Sequence, residues 1–272
     1  MPSTTIWNSF LVQQALEKLR MGIPTDLTCF HNGDIELKAD NLLYQSTYEE
    51  VEEFHKCSHD IIYFVEKYCR FLTDTGRHVV KLREYQRKIL RSLAKEETQI
   101  IFEQEELIPV IRNLIMMQSR QSGKTTTIAA YFAWYMCFHS DRNLAILANK
   151  QATAFEIVSK VIDVFKGLPF FLKPGIINAG SGGMRLDNGC MLTSQATTKT
   201  AQIGFTIHVL YADEFAHIQK FIAEDFWRSV YPTLASSEIS QCIISSTPNG
   251  DDNVFFDIWD KSQRGENLAG KN

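Results

Sequence analysis

Apolar positions along the chain change their period several times, and each change marks an element. Phe10, Leu11, Ala15, Leu16 and Leu19 recur at helical spacing within Phe10 to Arg20. His31-Asn32-Gly33-Asp34 reads as a turn. Ser46-Thr47-Tyr48-Glu49-Glu50 is a helix start, a hydroxyl cap followed by acids in the first turn. Val51, Phe54, Ile61, Ile62, Phe64, Val65, Tyr68, Cys69 and Leu72 then predict two short helices broken near Ser58-His59-Asp60. Leu82, Tyr85, Ile89 and Leu93 form the apolar stripe of a further helix, with Gln86 on a different face.

Beyond residue 112 the pattern alternates between short apolar runs and longer helical ones. Asn113 to Met117 is a hydrophobic run, followed by a helix-like run from Ile128 to Cys137. Asn143 to Ala148 is too short for a helix and reads as a buried parallel strand. Ala154 to Phe165 is helical in period and stops at Gly167-Leu168-Pro169. Met184 to Thr193 predicts a hairpin around Asn188-Gly189, a pair favoured in type I′ turns. Two more strands end at Asp213-Glu214 and at Ser245-Ser246-Thr247, and Val254 to Trp259 closes the pattern as an amphipathic segment. Strand–helix–strand alternation predicts an α/β fold whose parallel sheet is covered on both faces.

Composition narrows the functional classes. The chain of 272 residues allows one large domain or two small ones. A net charge of −4 does not suit a protein that coats nucleic acid, so any DNA contact is local or supplied by another segment. The six cysteines form no C-x-x-C pair and sit mostly in apolar segments, as buried free thiols of a reducing compartment would. The start, Met1-Pro2-Ser3-Thr4-Thr5, lacks the features of a signal peptide, and no apolar run is long enough to span a membrane. Glu103 to Glu106 is an acidic patch, read as a solvated hairpin or loop.

Candidate chemistry lies at the strand ends. Met117-Gln118-Ser119-Arg120-Gln121-Ser122-Gly123-Lys124-Thr125-Thr126 has the layout of a phosphate-binding loop between strand and helix. There Lys124 would reach the β- and γ-phosphates and the Thr125 hydroxyl would hold Mg²⁺. The pattern G-x-x-x-x-G-K-[ST] wants glycine where this chain has Gln118, and an ordinary strand–turn–helix is the competing reading of the loop alone. Asp213 and Glu214 abut a buried strand, which is costly unless they face a cation or water. They suit a Mg²⁺-binding acid and a water-orienting acid, respectively. Gln86 is either a solvated residue or, through its amide, a reader of the adenine edge. In an open α/β sheet these ends converge on one site.

Taken together, these motifs resemble a known family. The stretches that carry the likeness are Leu82-Arg83-Glu84-Tyr85-Gln86, Ser119 to Thr126, Leu186-Asp187-Asn188-Gly189, Tyr211-Ala212-Asp213-Glu214-Phe215-Ala216 and Ser246-Thr247-Pro248-Asn249-Gly250. They look like the large terminase subunit of tailed double-stranded DNA bacteriophages, T-even type, over roughly residues 50 to 262. A phosphate loop without its first glycine is itself a mark of that family. The resemblance implies a P-loop NTPase of the ASCE type, with a mainly parallel central sheet flanked by helices, a small N-terminal helical subdomain (residues 1–75) and a β-hairpin. The ATPase core would span 76–262 and a flexible tail 263–272. It implies that ATP is bound by Arg83, Gln86, Ser119, Gln121, Ser122, Gly123, Lys124, Thr125 and Thr126. Mg²⁺ would be held by Thr125 and Asp213, and hydrolysis would rest on Glu214, Lys124 and Arg120, the last as an arginine finger acting from its own loop or across subunits. Ser245, Ser246 and Thr247 would couple hydrolysis to movement. The implied partners are double-stranded DNA, a portal protein, a small terminase subunit and further copies in a ring on the procapsid, all in the cytoplasm of a bacterial host.

Two departures from the family stand out. The usual Arg-Gly before the second acidic strand is replaced by Ala201-Gln202-Ile203-Gly204, with Lys199 the nearest cation. The carboxylate-rich nuclease domain of the family is not expected in this chain, and neither is nuclease activity. The alternatives are a helicase-like translocase, which would need a second motor domain, and a nucleotide-gated adaptor without turnover.

Overall fold

The computed structural model describes residues 5–79, 81–94, 112–197, 206–235 and 239–264. In chain order the elements are α1 (Ser9–Arg20), β1 (Phe30–His31), β2 (Asp34–Lys38), α2 (Tyr48–His59), α3 (Ile61–Tyr68), β3 (Arg70–Thr73) and β4 (Gly76–Val79). Then come α4 (Glu84–Ala94), β5 (Arg112–Met117), α5 (Lys124–Phe138), β6 (Asn143–Ala148), α6 (Gln151–Gly167), β7 (Ile176–Gly180), β8 (Gly183–Leu186) and β9 (Met191–Ala196). The last are β10 (Val209–Asp213), a 3₁₀ turn (Phe215–His217), α7 (Lys220–Ala235), β11 (Gln241–Ser246) and α8 (Val254–Gln263).

Among the described residues seven strands form the central sheet, in the order β5-β11-β10-β6-β9-β8-β7. The pairs from β5 to β9 are parallel, and β8 and β7 complete the sheet as an antiparallel edge. Strand β11 lies between the loop-bearing strand β5 and the acid-bearing strand β10. Side chains alternate across the sheet: Leu144, Ile146, Val209, Tyr211 and Ile243 face one core with α2 to α6. Ala145, Leu147, Leu210, Ala212, Cys242 and Ile244 face the other with α7 and α8. Burial on both faces is why the strands read as continuous apolar runs rather than alternating ones. Helix α5 is buried from Thr127 through Cys137, which explains why its sequence lacks a polar face.

The N-terminal region divides by packing. Trp7, Val12, Ala15, Cys29, Phe30 and Phe170 form a small separate cluster around α1. Helices α2 and α3 instead join the main core, and Trp134 Nε1 donates to Cys57 O at 2.9 Å. Thr47 caps α2 with Glu50 closing a capping box, and Asp60 both ends α2 and caps α3. Residue 75 falls in the turn between β3 and β4.

The two hairpin Asn-Gly pairs, Asn32-Gly33 and Asn188-Gly189, behave differently. Asn32 (φ 49) and Gly33 (φ 77) are both left-handed and join β1 to β2, as a type I′ turn requires. The hairpin expected at Asn188-Gly189 exists between β8 and β9, but its turn type does not: only Gly189 (φ 84) is left-handed. Gly189 N donates to Leu186 O at 3.2 Å, giving the longer connection that ends in a left-handed glycine. The reason is tertiary. Asn188 Nδ2 donates to Met136 O (2.8 Å) and His139 O (2.9 Å), so the turn is built around the C-terminal end of α5. Helix α7, strand β7 and the β3–β4 hairpin were not anticipated. Glu103 to Glu106, Lys199, Gln202 to Gly204 and the tail from 265 lie outside the described residues. All six cysteines are buried and unpaired.

Lys173 is buried among these elements. Its Nζ donates to Glu36 O (2.6 Å) and Phe165 O (3.0 Å), tying β2 to the end of α6. Burial pushes its pKa down from 10.5 to about 7, while Cys137, Glu36 and Asp34 oppose the shift. Between these values the unfolded chain holds the proton that the native fold has lost, so this lysine makes stability rise with pH across that window. Urea midpoints measured from pH 7 to 9 should show the rise. Lys173→Met should flatten it while lowering stability by about 1–3 kcal/mol for each carbonyl left unpaired.

Candidate phosphate-binding site

Strand β5 ends at Met117, and the loop from Gln118 to Gly123 delivers Lys124 as the first residue of α5. Its left-handed residues are Gln121 (φ 59) and Gly123 (φ 86). Gln118 is not among them, so no glycine is needed at that position. Its N–H donates to Ser246 O at 3.0 Å, and its Oε1 accepts from Ser122 Oγ at 3.3 Å. Gly123 is under a double constraint, because a Cβ there would also stand 2.9 Å from Gln86 Nε2.

That contact corrects the expectation for Gln86. It is 4% exposed and faces inward with Leu90 and Leu93, rather than lying away from the apolar face. Its Oε1 accepts from Arg83 N (2.9 Å), and its Nε2 donates to Thr127 Oγ1 (2.9 Å) and, at 3.5 Å, to Gly123 O. Thr127 Oγ1 donates to Gly123 O at 3.0 Å. Tyr85 OH donates to Ser122 O. The Tyr85-Gln86 pair therefore braces the loop from behind.

Strand β10 ends at Asp213, where ordinary alternation would send the next side chain to the opposite face. Glu214 instead turns into the left-handed region (φ 52), and both carboxylates meet the same cation. Lys124 Nζ lies 2.5 Å from Glu214 Oε1 and 3.0 Å from Asp213 Oδ1. Asp213 Oδ1 also accepts from Tyr211 OH and Ser245 Oγ, each at 2.8 Å. Glu214 Oε2 accepts from Thr247 N (3.1 Å), Thr247 Oγ1 (3.0 Å) and Ser246 Oγ (3.4 Å). Burial pushes the Glu214 carboxyl up, but Lys124 and the Thr247 N–H outweigh it and hold the group below its ordinary range. Burial and Asp213 push the Tyr211 phenol well up, which keeps it a donor.

The structure thus brings Lys124, Asp213, Glu214, Ser245, Ser246 and Thr247 into direct contact, with Gln86, Gly123 and Ser122 behind them. Ser119, Arg120 and Gln121 are exposed on the loop, and Arg120 makes no hydrogen bond or ion pair among the described residues. Arg83 is exposed, with Nη1 3.5 Å from Tyr85 OH. Thr125 and Thr126 lie partly buried in the first turn of α5. The groups expected to hold Mg²⁺, the Asp213 carboxylate and the Thr125 hydroxyl, are hard-oxygen donors of the kind that ion takes. Neither Asp213 Oδ2 nor the Thr125 hydroxyl is engaged by another described residue. Tyr211, Thr127 and His217 were not singled out from sequence. For Tyr211 a signal existed: it lies two residues before Asp213 on one strand and so shares its face.

Residues 115–267, more than half of the chain, match the family described as the terminase large subunit, T4likevirus-type, N-terminal. The chain belongs to this family. Its fold is similar to that of the HK97 bacteriophage large terminase, with a TM-score of 0.60 at 15% identity. That likeness covers 76% of this chain and 42% of the HK97 chain. The large terminase of a thermophilic bacteriophage, solved in complex with ADP, gives a TM-score of 0.50 at 13% identity, covering 67% of this chain and 43% of that one. The chain therefore spans less than half the length of these relatives, and at such identities the likeness concerns the fold. In this chain the loop does without the first glycine because its left-handed residues are Gln121 and Gly123.

Gly123→Ala should abolish binding of a fluorescent ATP analogue, because the new methyl strains the backbone and displaces Gln86. Gln86→Leu should lower unfolding stability by about 1–3 kcal/mol, since it leaves buried partners unpaired, as a urea titration would measure.

Proposed function

We propose that this chain is the Mg²⁺-dependent ATPase domain of a DNA-packaging motor. The observation that carries the reading is Lys124 of the phosphate loop held between Asp213 and Glu214, with the Ser245-Ser246-Thr247 strand end bonded to both acids. Adjacent carboxylates on one lysine at the mouth of a phosphate-binding helix form a site prepared for a polyphosphate and a cation. On this reading Lys124 leaves its ion pairs for the β- and γ-phosphates when ATP binds. Asp213 and Thr125 hold Mg²⁺, which when bound supplies charge neutralisation across the phosphates. Glu214, released from Lys124, orients the attacking water and accepts its proton. Its continued hold on Thr247 links the state of the site to β11, which supports a coupling role for Ser245 to Thr247.

The exposed loop residues Ser119, Arg120 and Gln121 would meet the triphosphate from the loop. Arg120 serves as the arginine finger, a role worth about 10³–10⁵ in rate. Arg83 and Gln86 serve the adenine side of the site, Gln86 through the loop that it braces. The partners on this reading are double-stranded DNA, contacted mainly through the rest of a longer terminase, together with a portal protein, a small terminase subunit and further copies in a ring, in the host cytoplasm. The likeness to a family of packaging terminases favours this over a helicase-like translocase or an adaptor.

A phosphate-release assay with Mg²⁺, DNA and partner proteins tests the proposal. Turnover is expected, and its absence under every condition would favour a nucleotide-gated adaptor. Lys124→Ala should lose both ATP binding and hydrolysis. Glu214→Ala should keep ATP binding while hydrolysis falls by about 10²-fold or more. Wild-type hydrolysis in Glu214→Ala would remove Glu214 from the role given to it.

A further inference from the structure

We infer that His217 is a positioning residue that sets the Glu214 carboxylate for hydrolysis by orienting the Thr247 hydroxyl. The inference rests on the ATPase reading above and adds a residue to it. His217 ends the 3₁₀ turn that follows Glu214, and its backbone N–H donates to Glu214 O at 3.0 Å. Its Nε2 lies 2.8 Å from Thr247 Oγ1 and 3.6 Å from Glu214 Oε2, so its hydrogen bond is to the hydroxyl.

Proton counting fixes the direction of the chain. The Glu214 carboxylate only accepts, and Thr247 Oγ1 stands 3.0 Å from its Oε2. The single hydroxyl proton of Thr247 is therefore spent on Glu214, and the hydroxyl oxygen is left to accept from His217 Nε2–H. The order is His217 Nε2–H to Thr247 Oγ1–H to Glu214 Oε2. Without His217 the hydroxyl is free to rotate, and Glu214 Oε2 keeps only the Thr247 N–H at 3.1 Å and a long contact from Ser246 Oγ at 3.4 Å.

The two acids share one element of construction, a strand-end hydroxyl on each carboxylate. Asp213 is bonded to Ser245, and Tyr211 OH bridges the two at 2.8 Å to each. Glu214 is bonded to Thr247, and His217 supports that pair from the solvent side with its side chain 30% exposed. At each carboxylate a hydroxyl of β11 or its end donates, with a ring-bearing side chain of the acidic segment beside it: Tyr211 donates to Asp213 itself, and His217 donates to the Thr247 hydroxyl. When Lys124 moves to the phosphates, Glu214 Oε1 loses its partner, and the Thr247–His217 contacts become what keeps the carboxylate in place.

The experiment is a set of steady-state measurements on the purified chain. His217→Phe should lower kcat about tenfold with KM for ATP within about twofold, the scale of one hydrogen bond realised in the transition state. His217→Gln, whose amide nitrogen reaches about as far as Nε2, should recover most of the rate. His217→Phe added to Thr247→Val should cause no further loss, because the histidine acts through that hydroxyl. An unchanged rate in His217→Phe, a loss in His217→Gln equal to that in His217→Phe, or additive losses in the double variant would each overturn the inference. The same cycle on unfolding midpoints without nucleotide needs no turnover. Non-additive shifts there support the contact, and additive ones overturn it even if the chain proves not to be an ATPase. Failure of the ATPase reading shows separately, as no phosphate release by the wild type or as full activity in Glu214→Ala.

Discussion

Two carboxylates next to one another at the end of a buried strand repel, and the structure around them follows from how that repulsion is relieved. One ammonium, Lys124 Nζ, sits within 3.0 Å of both acids, with side-chain exposures of 10% for the lysine and 4% and 22% for Asp213 and Glu214. Burying three charges is unfavourable unless the remaining oxygens are hydrogen-bonded. Tyr211, Ser245 and Thr247 supply those bonds. Relief of this kind demands that three strand ends meet, which they do because β11 runs in parallel register between β5 and β10. Ser245 and Ser246 pair with Met116 and Met117 on one side, while Ile244 pairs with Ala212 on the other. A slip of one residue would turn the hydroxyls to the wrong faces of the sheet.

Rigidity around the cluster comes from packing on one side and hydrogen bonds on the other. Helix α5 is enclosed on every face, so Lys124 at its first turn is presented from a fixed support. The loop before it is held from behind by Tyr85, Gln86 and Thr127, whose bonds close on Ser122 and Gly123. Left-handed backbone at Gln121 and Glu214 costs about 1–3 kcal/mol per residue. At Gln121 it shapes the loop, and at Glu214 it aims a side chain against the ordinary course of the chain. At Glu214 the gain is specific, since an extended residue there would point away from Lys124.

Much of the architecture could be read from the order of apolar runs. The parallel strands β5, β6, β10 and β11, and the helices α1, α2, α3, α5 and α6, announce themselves through period, length and capping residues such as Thr47 and Asp60. The acids and hydroxyls at the strand ends were visible because polar groups next to buried strands need a reason. Less visible were features set by distant contacts. Gln86 looks like a surface residue until Thr127 and Gly123 are brought beside it. The Asn188-Gly189 pair loses its expected turn because Asn188 caps α5, whereas Asn32-Gly33, free of such a demand, adopts it. His217 carries no signal in the sequence, since nothing local says that Thr247 will lie beside its ring.

The sequence by itself determined which segments could be strands or helices, and which residue types stood at their ends, because those choices follow from local periodicity and the cost of burying polar groups. It also contained Gln118 where the general pattern has glycine, though not the reason that the backbone there needs none. Tertiary structure alone decided which strand lies next to which, that one lysine serves two acids, and that Thr247 lies between His217 and Glu214. These are contacts between residues far apart in the chain, and their geometry is set by register and by packing on both faces of the sheet, quantities that no local stretch of sequence carries.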